Sequence, residues 1–365
     1  MPLIIDAHED LASNSLIFNR DYRRSAYDIR SSEIASPIPD YTGHALVGWP
    51  EFQRGQVGIV VASMFSMPRK YKTNAIETQD FSSPPEFHRS MLNQYNLYQK
   101  WCDENPEMFE MVLSGQQLQK LAQAWLAEPA DYPAKTHPVG LILMMEGAEG
   151  ISGNDELEEW RTRGLSIIAP VWSGIRFCGG SKEPGGFTKE GFELLEAMGD
   201  LGYTLDIAHM SEVSALQALD VYEGSIIASH ANARALLKTD PTDRHLTDRQ
   251  LVRLFERDGV IGAMPFNRFL LPGWQNSDPR EQVTLSMFID HIDHICQIAG
   301  NARHVAIGSD YDGGFGWPAV PIEIDTIADL QKIALLLFDR GYSTDDVNAI
   351  FYGNWLRKLE QALPA

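Results

Sequence analysis

Short, continuously apolar runs recur along the chain, and most are separated by stretches with helical periodicity. Residues 3–5, 58–65, 139–145, 165–171, 203–208, 225–228, 259–264 and 304–309 each have the length of a strand. A run that is apolar at successive positions, on both faces, is the mark of a strand buried in a parallel sheet. Between these runs the apolar period lengthens. Leu92, Tyr95, Leu97 and Trp101 stripe a predicted helix over 82–105, and Leu118, Leu121 and Trp125 stripe one over 115–126. Further helices are predicted over 188–198, from Ser211 onward, and over 247–256, 278–299, 325–339 and 344–359, with Ser83, Ser211 and Thr247 placed as N-caps. Eight strands alternating with helices predict an α/β fold, a (β/α)8 TIM barrel with surface insertions, occupying 1–365 as a single domain. The polar stretch 20–50, broken by Pro37, Pro39 and Pro50, reads as a long excursion over the surface.

Charge narrows the range of partners. Fifty acidic against 30 basic side chains give a formal net charge of −20, which excludes a nucleic-acid partner, since that needs a basic surface. The three cysteines, Cys102, Cys178 and Cys296, are too far apart for a C-x-x-C metal site or a disulfide framework. No run approaches the ~18–20 apolar residues of a membrane span. Neither a signal peptide at the start nor a lipid-anchor tail at the end is recognisable, so the expectation is a cytoplasmic protein without a membrane partner.

The candidate chemistry lies where the strands end. His8 and Asp10 follow the first run two residues apart, so in extended backbone they share a face. Glu146 closes the third run beside Gly147, His209 and His230 follow the fifth and sixth, and Asp310 follows the eighth. In a barrel all six point into one mouth, where such folds place their chemistry. Three imidazoles and a shared carboxylate suit two zinc ions, with Glu146 able to reach both. Other polar residues carry blander expectations. Glu9 is structural, Glu149 is the alternative to Glu146 but its place further into the loop favours the surface, and His291 and His294, beside Asp290 and Asp293, form a solvated helix face. The glycine-rich loop 173–180 matches no phosphate-binding pattern.

Several segments, taken in order, resemble the membrane (renal-type) dipeptidases, a family of zinc peptidases. They are Asp6-Ala7-His8-Glu9-Asp10, Glu146-Gly147, Leu205-Asp206-Ile207-Ala208-His209-Met210-Ser211, Ser229-His230-Ala231-Asn232-Ala233-Arg234 and Gly308-Ser309-Asp310-Tyr311-Asp312-Gly313. The resemblance implies a dipeptidase with two zinc ions. His8 and Asp10 would hold one, His209 and His230 the other, with Glu146 bridging. A metal-bridging hydroxide would attack the amide, and Asp310 would carry its proton to the leaving amine. Arg244 falls where the family binds the substrate's terminal carboxylate, and a homodimer is the family's usual assembly. Two positions depart from the pattern. Trp172 stands where relatives carry a histidine near the scissile carbonyl, and His245 stands where they carry asparagine. Arg176 is the cation expected to reach inward in that histidine's stead, with Trp172 narrowing the pocket. The rivals are a barrel hydrolase of another amide, ester or lactone, and a non-catalytic binding protein. Metal analysis with a dipeptide screen separates all three.

Overall fold

The computed structural model describes residues 1–127, 136–239 and 242–364. Eight parallel strands form the frame: β1 (Ile4–Glu9), β2 (Val57–Phe65), β3 (Val139–Glu146), β4 (Ile167–Ala169), β5 (Thr204–Asp206), β6 (Ile226–Ile227), β7 (Ile261–Ala263) and β8 (Val305–Ile307). β1 to β6 pair in chain order, β7 pairs with β8, and a single parallel bridge, Ala228 to Ile261, joins the two groups. Helices such as Lys189–Asp200, Glu212–Val221 and Asp248–Glu256 make the crossovers. The result is the (β/α)8 barrel that the alternating runs predict. Among the described residues no helix is long and apolar enough to cross a membrane.

The ring closes in an unusual way between its first and last strands. Among the described residues no backbone ladder joins β8 to β1. Instead the Ser309 amide donates to Asp6 Oδ1 at 2.8 Å and the Ser309 hydroxyl to Glu9 Oε1 at 3.2 Å. Asn14 Nδ2 donates to the carbonyl oxygens of both Asp10 and Asp312, each at 2.9 Å. Buried carboxylates and an amide thus do the work of a ladder, satisfying backbone groups that would otherwise lie unpaired in the interior.

The sequence pattern and the fold diverge at five places. β1 continues through His8 to Glu9, every residue buried, whereas the apolar run stops at Ile5. Hydrophobicity cannot register a strand whose polar residues are paired inside the barrel. The excursion at 20–50 carries helices Ala26–Glu33 and Ile38–Thr42 and buries Tyr22, Leu46 and Val47. Pro37 and Pro39 start the second helix and Pro50 a third, Trp49–Gly55, in places where the missing N–H costs nothing. The helix expected from 278 begins at Leu285, with the single turn Arg280–Gln282 before it. The one expected from 325 opens as a 3-10 turn over Ile327–Gln331. The helix face at 291–294 is not simply solvated: His291 is buried and its Nδ1 accepts from the Ala233 amide, while His294 Nε2 meets Asp248 at 2.7 Å. Of the polar loop 240–246, Asp240 and Pro241 lie outside the described residues.

Candidate metal centre

Strand register brings the candidate ligands level. β5 and β6 pair Asp206 with Ile227, so His209 and His230 stand three residues past equivalent positions. Their Nε2 atoms lie 2.9 Å apart, and each faces Glu146 Oε1, at 3.1 Å from His209 and 3.5 Å from His230. On the other side His8 Nε2 lies 3.7 Å from Asp10 Oδ1, 3.9 Å from Glu146 Oε2 and 3.8 Å from Asp310 Oδ1. Three groups result: Glu146 with His209 and His230, His8 with Asp10 and Glu146, and His8 with His230 and Asp310. Glu146 belongs to two of them through different oxygens.

The donors fit divalent metal. Ligands held ~2.1 Å from a tetrahedral zinc stand about 3.4 Å from one another, close to these separations. His8 Nε2 and Asp10 Oδ1 are buried and make no hydrogen bond. Buried polar atoms are costly to leave unpaired, and two of them converging on a common point are what an ion would satisfy. Electrostatics agrees. Burial, reinforced by the charges of Asp10 and Asp310, drives the Glu146 carboxyl well above the ordinary range. Burial likewise, with the charge of Asp10 adding to it, pushes Asp310 up to about 8. Burial opposes a charged His8, yet Glu146, Asp10 and Asp310 outweigh it and lift the imidazole to about 10. Burial, then the positive charges of Arg244 and His8, holds His209 well below the usual value; His8 and then Arg244 act alike on a buried His230. Carboxylates this crowded lack positive charge, and metal ions would supply it.

Backbone geometry marks the same residues. His209 (φ 66°) and Asp310 (φ 56°) adopt the left-handed conformation, as does Asp312 (φ 64°). Such conformations are costly for side-chain-bearing residues and persist where the surroundings enforce them, which is often a functional site. Asp312 is held by the Leu46 amide at 2.8 Å and the Tyr22 hydroxyl at 3.0 Å, so the excursion at 20–50 buttresses the loop that carries Asp310.

A cavity of about 400 Å³ opens over the centre, lined among others by Asp10, Glu77, Trp172, Arg244 and Phe269. Arg244 is buried; its Nη1 donates to the His230 carbonyl at 2.8 Å and its guanidinium lies 5.5 Å from the Phe269 ring. His245 turns the other way, its Nδ1 accepting from the Asn232 amide. Trp172 lines the cavity with its ring 6.0 Å from His209 and 5.2 Å from Phe65. Arg176 does not join them. Its guanidinium donates to Glu190 Oε1 and to the Glu149 carbonyl oxygen, and it is absent from the cavity wall. The expectation that it reaches inward is corrected: a nearby carboxylate captures it. The cation beside Trp172 is Lys182, whose Nζ sits 4.4 Å from that ring and 4.6 Å from Tyr71. Sequence reasoning passed over Lys182 because nothing in the chain order joins it to Tyr71. Glu149, expected at the surface, is partly buried, and burial raises its carboxyl to about 7. Glu77 was also missed; burial lifts it too, to about 7.

Comparison with known proteins gives a consistent picture. Residues 2–364 match the family described as Membrane dipeptidase (Peptidase family M19). Dipeptidase tcpJ of Claviceps purpurea is 25% identical over 350 residues, covering 93% of this chain and 74% of that protein. An uncharacterized protein in the pqqA 5′ region of Klebsiella pneumoniae is 30% identical over 233 residues, 61% of this chain and 82% of its own. The fold is shared with a metallopeptidase of Rhodobacter sphaeroides, solved with a phosphinate mimic of the dipeptide L-Ala-D-Ala. The TM-score is 0.77 at 21% identity, over 99% of each chain.

Proposed function

The chain belongs to the membrane dipeptidase family of peptidases, and on that footing we propose that it hydrolyses the amide bond of dipeptides at a centre of two zinc ions bridged by Glu146. The observation that carries this reading is the double role of Glu146, whose two oxygens face His209 and His230 on one side and His8 on the other. Bound there, the metals would polarise the scissile carbonyl and make water a nucleophile at neutral pH. His8 and Asp10 would hold one ion, His209 and His230 the other. Asp310 takes a proton from the attacking water and returns it to the leaving amine. The test is a dipeptide panel on zinc-reconstituted protein of measured metal content. Fully loaded protein that cleaves no dipeptide rejects the reading, and activity on other amides, esters or lactones would replace it.

Arg244 binds the substrate's C-terminal carboxylate, for which a guanidinium fork is suited. Arg244→Ala is expected to lower kcat/KM by about 2–4 kcal/mol of transition-state binding, the range for truncating a buried charge pair. The assignment fails if C-terminally amidated dipeptides suffer the same loss, since they have no carboxylate to lose.

Trp172 narrows the pocket and favours flat, apolar contact, and Lys182 holds it in place. Lys182→Met is expected to change kcat/KM by about two- to fivefold, the worth of an exposed cation–π contact, and to alter the ranking of substrates. Trp172→His is expected to shift that ranking further, and Arg176→Ala to leave it untouched. An Arg176 effect equal to that of Lys182 would reverse this assignment.

A further inference from the structure

Behind the ligands lies a chain of side chains that the proposed chemistry does not use. Asp206, on β5, is fully buried. Its Oδ1 accepts the backbone N–H groups of Ala208 at 3.0 Å and Ser229 at 2.9 Å. Its Oδ2 accepts the Ser229 hydroxyl at 2.5 Å. The Ser229 oxygen is in turn 2.7 Å from His230 Nδ1. Ser229 is itself tightly placed: a Cβ on Gly262 or Gly308 would come within 1.9 or 2.0 Å of its carbonyl oxygen, so only glycine at both positions lets this backbone enter the barrel. His8 has no such support, since its Nδ1 is buried without a partner.

We propose that Asp206 and Ser229 are positioning residues that fix the tautomer of His230, holding its proton on Nδ1 and leaving the Nε2 lone pair for metal. The argument is one of counting. A hydroxyl has one proton to give. Asp206 Oδ2, as a carboxylate oxygen, accepts it. The Ser229 oxygen is then left as an acceptor, and among the described residues the group facing it is His230 Nδ1, which must therefore carry the proton. The three donors aimed at Asp206 are the arrangement a carboxylate requires. Outer partners of this kind orient a ligating histidine, and their loss typically costs roughly 10–100-fold in metal affinity.

The direction of the chain makes the idea sharply testable. In Asp206→Asn the amide oxygen must occupy the Oδ1 position, where two backbone N–H groups point at it. Its NH₂ then falls at Oδ2 and donates to Ser229. The serine hydroxyl turns round and donates to Nδ1, which moves the histidine proton to Nε2 and blocks the metal-facing nitrogen. The variant should therefore be worse than Ser229→Ala, which removes the link without reversing it. The inference rests on His230 as a metal ligand, but the tautomer can be read in its absence.

The experiment is ¹⁵N NMR of the imidazoles in chelator-treated protein, with zinc affinity by competition against a chromophoric chelator. Expected are Nδ1–H for His230 in the native protein, Nε2–H in Asp206→Asn, and zinc binding weakened at least about tenfold in both Asp206→Asn and Ser229→Ala. Ser229→Thr, which keeps the hydroxyl, should restore it. Nε2–H in the native protein overturns the proposal, as does an unchanged tautomer in folded Asp206→Asn. Should Asp206→Asn not fold, Ser229→Ala decides by itself: native zinc affinity and native tautomer there overturn the idea. A native protein that shows Nδ1–H and binds no zinc would sink the metal reading and leave the positioning role standing.

Discussion

Asp310→Asn is expected to lower kcat by about 10²–10⁴-fold, the usual worth of a positioned proton-transfer group, while most of the metal stays bound. Asparagine is the right substitution for two reasons. It matches the shape of aspartate and keeps one oxygen directed at the centre, yet it cannot take a proton. It also tolerates the left-handed backbone that Asp310 adopts at φ 56° better than almost any other residue with a side chain, so the loop need not rearrange. Metal retention follows from the geometry: Asp310 belongs to only one of the three ligand groups, and Glu146, His8, Asp10, His209 and His230 are untouched. Measuring kcat and zinc content on the same preparation separates the two effects. Near-native kcat in a fully loaded variant would remove Asp310 from the mechanism.

Native protein is expected to bind close to two equivalents of zinc, and Glu146→Ala to bind at most one and to lose roughly 10²-fold or more in kcat/KM. A Lewis acid at the reacting carbonyl is worth several kcal/mol, and each 1.36 kcal/mol is tenfold in rate. The loss should also be cooperative. Removing Glu146 takes one oxygen from each of two ligand groups at once, whereas Asp10→Ala takes a ligand from only one. Elemental analysis after reconstitution and exhaustive dialysis gives the count. Two tightly held equivalents in Glu146→Ala would rule out a bridge, and a native protein that never exceeds one would rule out the paired centre altogether.

What could be read from the chain follows from what periodicity can sense. Apolar runs locate the eight strands of the barrel frame because a strand buried on both faces must be apolar nearly throughout. Capping residues mark helix starts by their own chemistry: Ser211 and Thr247 accept from the amides of Ser214 and Gln250. The clustered imidazoles and carboxylates were legible because polar residues at the C-terminal ends of buried strands have few other reasons to be there. Everything that depends on a partner distant in sequence was hidden. His8 sits inside β1, kept there by contacts with residues near 310, and hydropathy reads it as the strand's end. Arg176 and Lys182 are both cations in one loop, and only folding shows that Glu190 claims the first and two aromatic rings claim the second. Lys182 and Glu77 left no motif to find, and the segments that hold Asp206 and Ser229 do not reveal that the two pair.

The side-chain seam between β1 and β8 bears on when the centre comes into being. Ser309 meets Asp6 at a sequence separation of 303, so the contact closes a very long loop. Contacts of such separation are late and slow to form, because the chain's entropy must be spent before they repay it. His8 and Asp10 leave the ribosome well before Asp310 and the loop that ties down Asn14. During synthesis His8 and Asp10 therefore wait for a strand not yet made. Metal that binds only the closed ring would draw the equilibrium toward closure by mass action. The ions would then serve as the clasp of the barrel as well as its reagents, and chelation should loosen the molecule first at the seam between β1 and β8.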